Sequence, residues 1–415
     1  MRFMRDQSSG VKQIGIVGAG PAGMMAALEA ARRGARVLLF DTNRTVGRKL
    51  LVTGNGRCNL TNEGVAADRY VCADPAFLQT ALAAFGRREL LAALWDLGVI
   101  TYATHDGWVY PVSNSAATVV DALAAGLEQA GVEVRLLTKI GGIRRQGGRF
   151  VLEAGGPAHT IEVDAVVVAA GGQAYPALGS KGELFPVLEK LGHTVMPVRP
   201  ALAPICARAA PFHKLQGVRL DVGLAVYRDE AKLGETVGNL MFTQFGFSGP
   251  AAMDMSYLVS AHRPGALRLV LNLIPTHQAE LDRLLAAKRQ ERVPLRVVLG
   301  AVLPSKVPPV FLGLAGLPAD VMLAEVSDDE LARVVGLLTG FSLPAEGTRG
   351  FQFSQLSSGG VPVTEIDART MGSRQVRALY LAGEVLDVIG PCGGYNLQFA
   401  FTSGALAGAA AAGAR

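Results

Sequence analysis

Three glycines, Gly18, Gly20 and Gly23, lie in the segment Gly18-Ala19-Gly20-Pro21-Ala22-Gly23, between the apolar run Ile14–Val17 and an Ala-rich stretch reaching Arg33. A strand, this spacing and then a helix make the pattern of a dinucleotide-binding turn. Gly18 permits the tight turn, Gly20 lets backbone approach a pyrophosphate, and Gly23 lets helix and strand pack closely. The helix start offers N–H groups without intrahelical partners and a partial positive charge, both suited to phosphate. A second apolar run, Arg36–Phe40, ends at Asp41, 23 residues after Gly18. A carboxylate there accepts hydrogen bonds from ribose hydroxyls and repels a 2′-phosphate. Gly18, Ala19, Gly20, Pro21, Ala22, Gly23 and Asp41 are therefore expected to hold an adenine dinucleotide.

The other end of the chain bears on which dinucleotide binds. The apolar run 378–382 leads into Gly383-Glu384, and a small-residue helix is expected over about 396–412. A flavin needs a carboxylate near its ribitol and a helix N-terminus near its pyrimidine ring, where the reduced form carries negative charge. Glu384, after Gly383, suits the first role. The backbone of Asn396, Leu397 and Gln398 suits the second, which favours FAD over NAD. Residues 47–62 combine cations, small residues and amides directly after the ribose-binding strand. Such a loop can run from the pyrophosphate toward the flavin ring. Arg48, Lys49, Gly54, Asn55, Gly56, Arg57, Cys58 and Asn59 are its candidate contacts, and its cations can pair with phosphate or with anionic flavin. A third approach comes from Ala170-Gly171-Gly172, which end the buried run 165–170.

Groups that could act on a substrate are fewer. Tyr175 and Tyr395 flank Gly-rich loops on the flavin side, where a hydroxyl can hydrogen-bond a substrate or move a proton. Cys58 and Cys392 fall in loops expected near the flavin, as a redox pair or as single thiols. The plain alternative is that both are small packing residues. The four cysteines form no CxxC, and the six histidines show no metal-ligand spacing, so no metal is expected. No clear acid–base residue emerges. The flavin would carry the chemistry while the protein positions substrate and tunes charge.

The elements that position these groups come from a 415-residue chain that is 50% hydrophobic and 18% charged, enough for large cores in two or three domains. Net charge is +5, but the cations are scattered without a basic block, so no nucleic-acid partner is expected. Met1 to Gln13 lacks the apolar core of a signal peptide, and no apolar run spans a membrane. A cytoplasmic location without membrane partners follows, with the oligomeric state open. Helices are expected over 75–97 and 115–130, and strands over 132–138, 149–154 and 158–163. The run 165–170 reads as a buried parallel strand. From about 197 to 273 the pattern is strand-like, and over 276–340 it becomes short helices broken by prolines. The Gly-rich style returns at 351. The expected fold class is α/β, with residues 1–196 and 351–415 as a discontinuous Rossmann-type domain. Residues 197–274 and 341–350 form an inserted β domain, and 275–340 a helical subdomain.

These segments resemble a family of FAD flavoproteins that includes aminoacetone oxidase and a bile-acid-dehydroxylation reductase, the BaiN/YhiN-like group. The matching blocks are GAGPAGMMAA at 18–27, GRKLLVTGNGRCNLTN at 47–62, AAGGQAYPALGS at 169–180, FTQFGFSGPA at 242–251, TMGS at 370–373 and LYLAGEVLDVIGPCGGYNLQFAFTSG at 379–404. The resemblance implies an FAD domain interrupted by a β-barrel-like domain with a helical subdomain. It also implies a small amine such as aminoacetone as the substrate class. After Gly179-Ser180 the family continues with a Thr-Gly-Asp-Gly-like stretch, whereas this chain has Lys181-Gly182-Glu183-Leu184. Contacts made there by relatives are not carried over. The expected activity is hydride transfer from a small-molecule substrate to flavin, with electrons passing to oxygen or another acceptor. The alternatives are an NAD(P)H-dependent reductase of a C=C bond and a flavin-binding protein that acts on RNA or another partner.

Overall fold

The computed structural model describes residues 10–413 apart from Pro157 and Ala209, with the side chains of Ala210 and Pro211 also left aside. Most of the segment Met1 to Gln13, read above for a signal peptide, lies outside the described residues. The chain divides into two compact units, Met1–Val198 with Leu356–Arg415, and Arg199–Gln355.

The first unit is built on a five-stranded parallel sheet. Strand β1 (Gln13–Val17) leads through the Gly18–Gly23 turn into helix α1 (Pro21–Arg32), and strand β2 (Arg36–Phe40) returns beside β1. Strand Ala165–Val168 lies on the other side of β1 and pairs in turn with Leu379–Leu381. Glu133–Arg135 pairs with β2 at the far edge. Every residue of Ala165–Val168 is buried, which is why this strand reads as an unbroken apolar run and not as an alternation. The ends of β1, β2, Ala165–Val168 and Leu379–Leu381 point the same way. In open parallel sheets ligands bind at those carboxyl ends.

Helix α1 is clamped onto the sheet by the C-terminal helix Tyr395–Gly413. The contact is between backbones. A methyl group on Gly404 would collide with the Ala22 carbonyl, and one on Gly408 with the Ala26 carbonyl. Small residues four apart let the helices approach closely, so the beginnings of both are held in fixed positions.

Several elements differ from the sequence reading. The helical stretch 75–97 is two helices, Pro75–Ala84 and Arg87–Asp96. Gly86 caps the second, with its N–H donating to the Glu89 carboxylate at 3.0 Å. The expected strand 132–138 is shorter, at Glu133–Arg135, and an unforeseen strand, Ile140–Gln146, forms a sheet with Arg149–Ala154 and Thr160–Val163.

The second unit contains a closed six-stranded barrel. Around it run Ile205–Ala207, Gly246–Ser248, Ala231–Thr243, Arg219–Arg228, Leu267–Asn272 and Phe341–Thr348, which pairs back with the first. Closure leaves no strand edge. Between the last two strands come helices Gln278–Lys288, Leu295–Leu299, Val307–Leu314 and Asp328–Gly340. The last begins in a capping box between Ser327 and Glu330. The unit has its own apolar core, in which Phe212 packs against Phe242, Phe247, Phe311 and Phe341.

Candidate dinucleotide and flavin site

The three glycines of the turn are required for different reasons. Gly18 has φ +104°, and a side chain there would strike the Ala169 carbonyl. A side chain on Gly23 would strike the Gly18 carbonyl. Gly20 meets nothing: no atom lies within 4 Å of where its Cβ would be, and its φ of −80° suits any residue. The protein's own packing therefore explains Gly18 and Gly23 but not Gly20, and an open cradle over a helix start fits a pyrophosphate pressed against backbone. The first intrahelical bond of α1 runs from Met24 N to Gly20 O at 2.9 Å. Pro21 has no N–H, so the N–H groups of Ala22 and Gly23 are those the helix leaves for a ligand.

Asp41 is held in place by its own neighbours. Its Oδ2 accepts from Ala19 N at 2.8 Å, and its Oδ1 accepts from Asn43 N at 2.8 Å and Asn43 Nδ2 at 2.9 Å. Oδ2 keeps capacity for a further donor, as a ribose hydroxyl requires. The Ala19 N–H is thus spent on Asp41, and Ala19 bears on the dinucleotide by fixing that carboxylate. Arg48 donates to Asn43 Oδ1 at 2.8 Å and so reaches Asp41 through Asn43.

A second cluster joins the ends of β2, Ala165–Val168 and Leu379–Leu381. Lys49 Nζ donates to Glu384 Oε2 at 2.5 Å. Glu384 Oε1 accepts from the N–H and the hydroxyl of Ser357, each at 2.9 Å. The Ser357 hydroxyl in turn accepts from Gln173 N at 2.7 Å and Ala174 N at 3.1 Å. A methyl on Gly172 would lie 2.6 Å from Ser357 Oγ and 2.9 Å from Glu384 Oε1, and one on Gly171 2.7 Å from Ser180 Oγ. Lys49, Gly171, Gly172 and Glu384 are thus one assembly, with Ala170 directly before the glycines. Ser357, which ties it together, was not singled out in the sequence. Its only signal is the small-residue run Ser357-Ser358-Gly359-Gly360. Next to this cluster, Lys181–Leu184, where the chain departs from the resembled family, lies partly at the surface, with Glu183 paired to Lys139 at 2.8 Å.

A third cluster gathers the loop 54–62 beside the start of the C-terminal helix. Gly54, Asn55, Gly56 and Cys58 all have positive φ. Left-handed conformation at the two non-glycine residues is costly, and a loop keeps it only when its surroundings dictate it. The Arg57 guanidinium lies over the Tyr110 ring, 4.5 Å from its centroid, with Nη2 3.3 Å from the Tyr110 hydroxyl. Asn59 is buried, and its Oδ1 has no hydrogen-bond partner among the described residues. A buried unpaired acceptor is rare in native proteins and marks a place where a donor belongs. Together with the cradle at Gly20, this orphan acceptor fits a chain built to hold a dinucleotide.

The C-terminal helix starts one residue earlier than expected, at Tyr395, after Gly393 and Gly394 with φ of +109° and +98°. The free amides are therefore those of Tyr395, Asn396 and Leu397. Gln398 is a correction: its N–H donates to Gly394 O at 2.9 Å, the first bond of the helix. Its buried side chain is also occupied, accepting from Thr61 Oγ1 at 2.6 Å and donating to Thr402 Oγ1 at 3.0 Å. The Asn396 side chain pairs with both backbone groups of Gly390 at 2.8 Å and fixes the loop before the helix.

The candidate catalytic groups are treated unevenly. Cys58 is fully buried, and burial pushes its thiol up to about 12, so it keeps its proton at neutral pH. Of the two readings of Cys58, burial favours the packing residue over the reactive thiol. Tyr395 is buried, and its hydroxyl donates to Asn62 Oδ1 at 3.3 Å. Cys392 is half-buried in the loop before Gly393. Tyr175 is half-buried with φ +52°, an uncommon conformation for a bulky residue. No hydrogen bond of its hydroxyl is found among the described residues, and it stands directly after the Gly171–Ala174 segment. Among the described residues no group of three or more His, Cys, Asp or Glu could hold a metal ion. No described helix is long and apolar enough to cross a membrane.

Comparison with known proteins adds an independent finding. A family model described as the HI0933-like protein Rossmann domain matches residues 12–410. A protein of Clostridium scindens named 3-dehydro-bile acid delta(4,6)-reductase is 33% identical over 409 residues, covering 97% of this chain and 99% of its own. Proteins named ribosomal RNA dihydrouridine synthase, from Escherichia coli and Haemophilus influenzae, are 32% and 29% identical. Each match covers 94% of this chain and 95% of the relative.

Proposed function

The chain belongs to the HI0933-like family of FAD-binding Rossmann proteins and is an FAD-dependent oxidoreductase; from that premise we propose that it is a reductase, adding hydrogen across a C=C bond conjugated with a carbonyl. The observation that carries this reading is the reaction shared by the full-length relatives. One is named for reducing the Δ4,6 unsaturation of a 3-dehydro bile acid, the others for making dihydrouridine. The substrates are unalike, but both names describe two hydrogens added to a C=C bond next to a carbonyl. We place this ahead of oxidation of a small amine, for which none of these three relatives is named.

When bound, FAD supplies the hydride. The chain's own residues hold and tune it. Asp41 Oδ2 would take an adenosine ribose hydroxyl, and the amides of Ala22 and Gly23, over the Gly20 cradle, would take the pyrophosphate. Glu384, fixed by Lys49 and Ser357, would accept from the ribitol. The amides of Tyr395, Asn396 and Leu397 would serve the flavin's pyrimidine ring, with Asn59 Oδ1 as acceptor for a ring N–H. The sequence shows no second strand–GxGxxG–helix unit, so NAD(P)H would reach the flavin through the substrate's own entrance. Relatives named for ribosomal RNA reopen the nucleic-acid partner that the scattered charge argued against.

The test is anaerobic. FAD-loaded protein is bleached with NADH or NADPH. A 3-oxo-Δ4 steroid acid, a uridine-containing RNA and aminoacetone are then offered separately. Return of the yellow colour with one of the first two, and a product heavier by two hydrogens, is expected. Aminoacetone bleaching the oxidised protein, with neither C=C acceptor restoring colour, would sink the proposal.

A further inference from the structure

In the second unit, the segment after barrel strand Phe341–Thr348 carries a cation without a role in the reading above. The backbone N–H of Arg349 donates to Pro204 O at 3.0 Å, and Gly347 and Gly350, with φ of +115° and +76°, turn the chain on either side. Its guanidinium carbon lies 3.8 Å from the centroid of the Phe353 ring and 4.4 Å from that of Phe245. Phe245 belongs to the 242–251 block that the flavin site leaves unexplained.

Both rings hold the guanidinium carbon at cation–π distance. Rings have no acceptor for its five N–H donors beyond their π faces, so the donor fork is left for another partner. No carboxylate within ion-pair distance supplies one among the described residues. The nearby Glu346 pairs instead with Arg208 at 3.0 Å. Arg349 is half-buried, so part of its charge is withdrawn from water without a counter-charge. Phe353, by contrast, is 42% exposed, a large ring held at the surface. A guanidinium fixed in direction, partly desolvated and with its fork unpaired is the arrangement that binds carboxylate or phosphate bidentately.

We propose that Arg349, held against Phe245 and Phe353, is a binding site for a carboxylate or phosphate group carried by a ligand of this protein. The shared chemistry is a planar pair of oxyanion oxygens. A steroid acid and a nucleotide are two sources of it.

The experiment needs no turnover, so it stands or falls separately from the reductase reading. Binding of four probes to the oxidised FAD-loaded protein is measured by calorimetry: cholate, its uncharged methyl ester, uridine monophosphate and uridine. The protein is expected to prefer at least one anion over its uncharged partner by about tenfold or more, the size of one charge-assisted hydrogen bond. Arg349→Gln should abolish that preference. Arg349→Lys, which keeps the charge and loses the fork, should retain only part of it. The anion that shows the preference identifies the source. No preference for either anion in the wild type, or a preference unchanged by the substitutions, overturns the site. If Arg349→Gln does not fold, Arg349→Lys decides alone: a reduced preference supports the fork, and an unchanged one removes it.

Discussion

Lys49 and Glu384 are 335 positions apart in sequence, and their side chains meet at 2.5 Å. One follows β2, and the other follows strand Leu379–Leu381 at the edge of the same sheet. Both are mostly shielded from water, at 23% and 12% exposed. A pair in that position is stabilising only while both members are present, since removal of one leaves the other partly buried and unpaired. Lys49→Met should therefore destabilise the apoprotein by about 1–3 kcal/mol, less than for a fully buried pair because solvent still reaches Lys49. Lys49→Met/Glu384→Gln should recover part of that loss. Urea unfolding of the two variants checks the sign, and a double variant less stable than Lys49→Met alone contradicts the argument.

Gly20 and Gly23 separate folding from cofactor binding. Gly23→Ala places a methyl against the Gly18 carbonyl, so the apoprotein itself should lose several kcal/mol, on the order of 3 or more. Gly20→Val meets only open space and should leave apoprotein stability within about 1 kcal/mol. Its FAD content, however, should fall to a small fraction of the wild type's. Thermal unfolding of the apoproteins and absorbance of the purified proteins measure the two quantities independently. Full FAD occupancy in Gly20→Val would remove the pyrophosphate from this turn.

Acid stability should depend on Glu365. Its carboxylate is 2.7 Å from His193 Nδ1 and accepts from Thr194 N at 3.2 Å, while His193 Nε2 meets Ser373 Oγ at 2.9 Å. Burial pushes the Glu365 carboxyl up, but hydrogen bonds from Thr194 and His193 outweigh it and hold the group below the usual carboxylate range. A depressed folded-state value means stability that is present above the ordinary carboxylate value and lost as pH falls through the folded one. Glu365→Gln should therefore be less stable than wild type at pH 7, by about 1–3 kcal/mol. The gap should close on acidification below about pH 4, where the unfolded-state carboxyl also protonates. Denaturant unfolding at the two pH values checks this, and a gap that widens in acid contradicts it.

The parts of the fold that the sequence makes legible are those whose signal is local. β1, the glycine turn, α1, β2 and the apolar run 165–168 each state their conformation within a few residues. Ile140–Gln146 does not. Gly141-Gly142 and Arg144-Arg145 break the alternation, and the strand is defined by its partner, whose Glu153 side chain covers Gly142. The same division holds at the site. Lys49, Gly172 and Glu384 are visible as residue types after strands, but Ser357 acts through Gln173, 184 positions away, and nothing near it announces the contact. Gln398 differs from the sequence expectation because of where the helix begins. The glycine pair 393–394 allows the helix to begin at Tyr395, and that moves the Gln398 N–H inside it.

Arg57 provides the sharpest test of how the flavin is tuned. Its guanidinium rests on Tyr110, in a loop whose left-handed residues hold it beside Asn59 and the start of the C-terminal helix. If Arg57 and the amides of Tyr395–Leu397 together face the N1–C2=O edge of the ring, both favour the reduced, negatively charged form. Both then raise the reduction potential. A charge-assisted hydrogen bond is typically worth about 1.5–3 kcal/mol. For a two-electron couple about 30 mV corresponds to about 1.4 kcal/mol, so Arg57→Ala should lower the midpoint by roughly 30–65 mV. Arg57→Lys keeps the charge but not the stacked plane and should fall between the two. If Arg57 serves the pyrophosphate instead, its loss weakens FAD binding and leaves the potential of the remaining holoprotein where it was. Redox titration beside FAD dissociation separates the outcomes: a lowered midpoint with FAD retained places Arg57 at the ring, and an unchanged midpoint with weakened binding moves it to the phosphates.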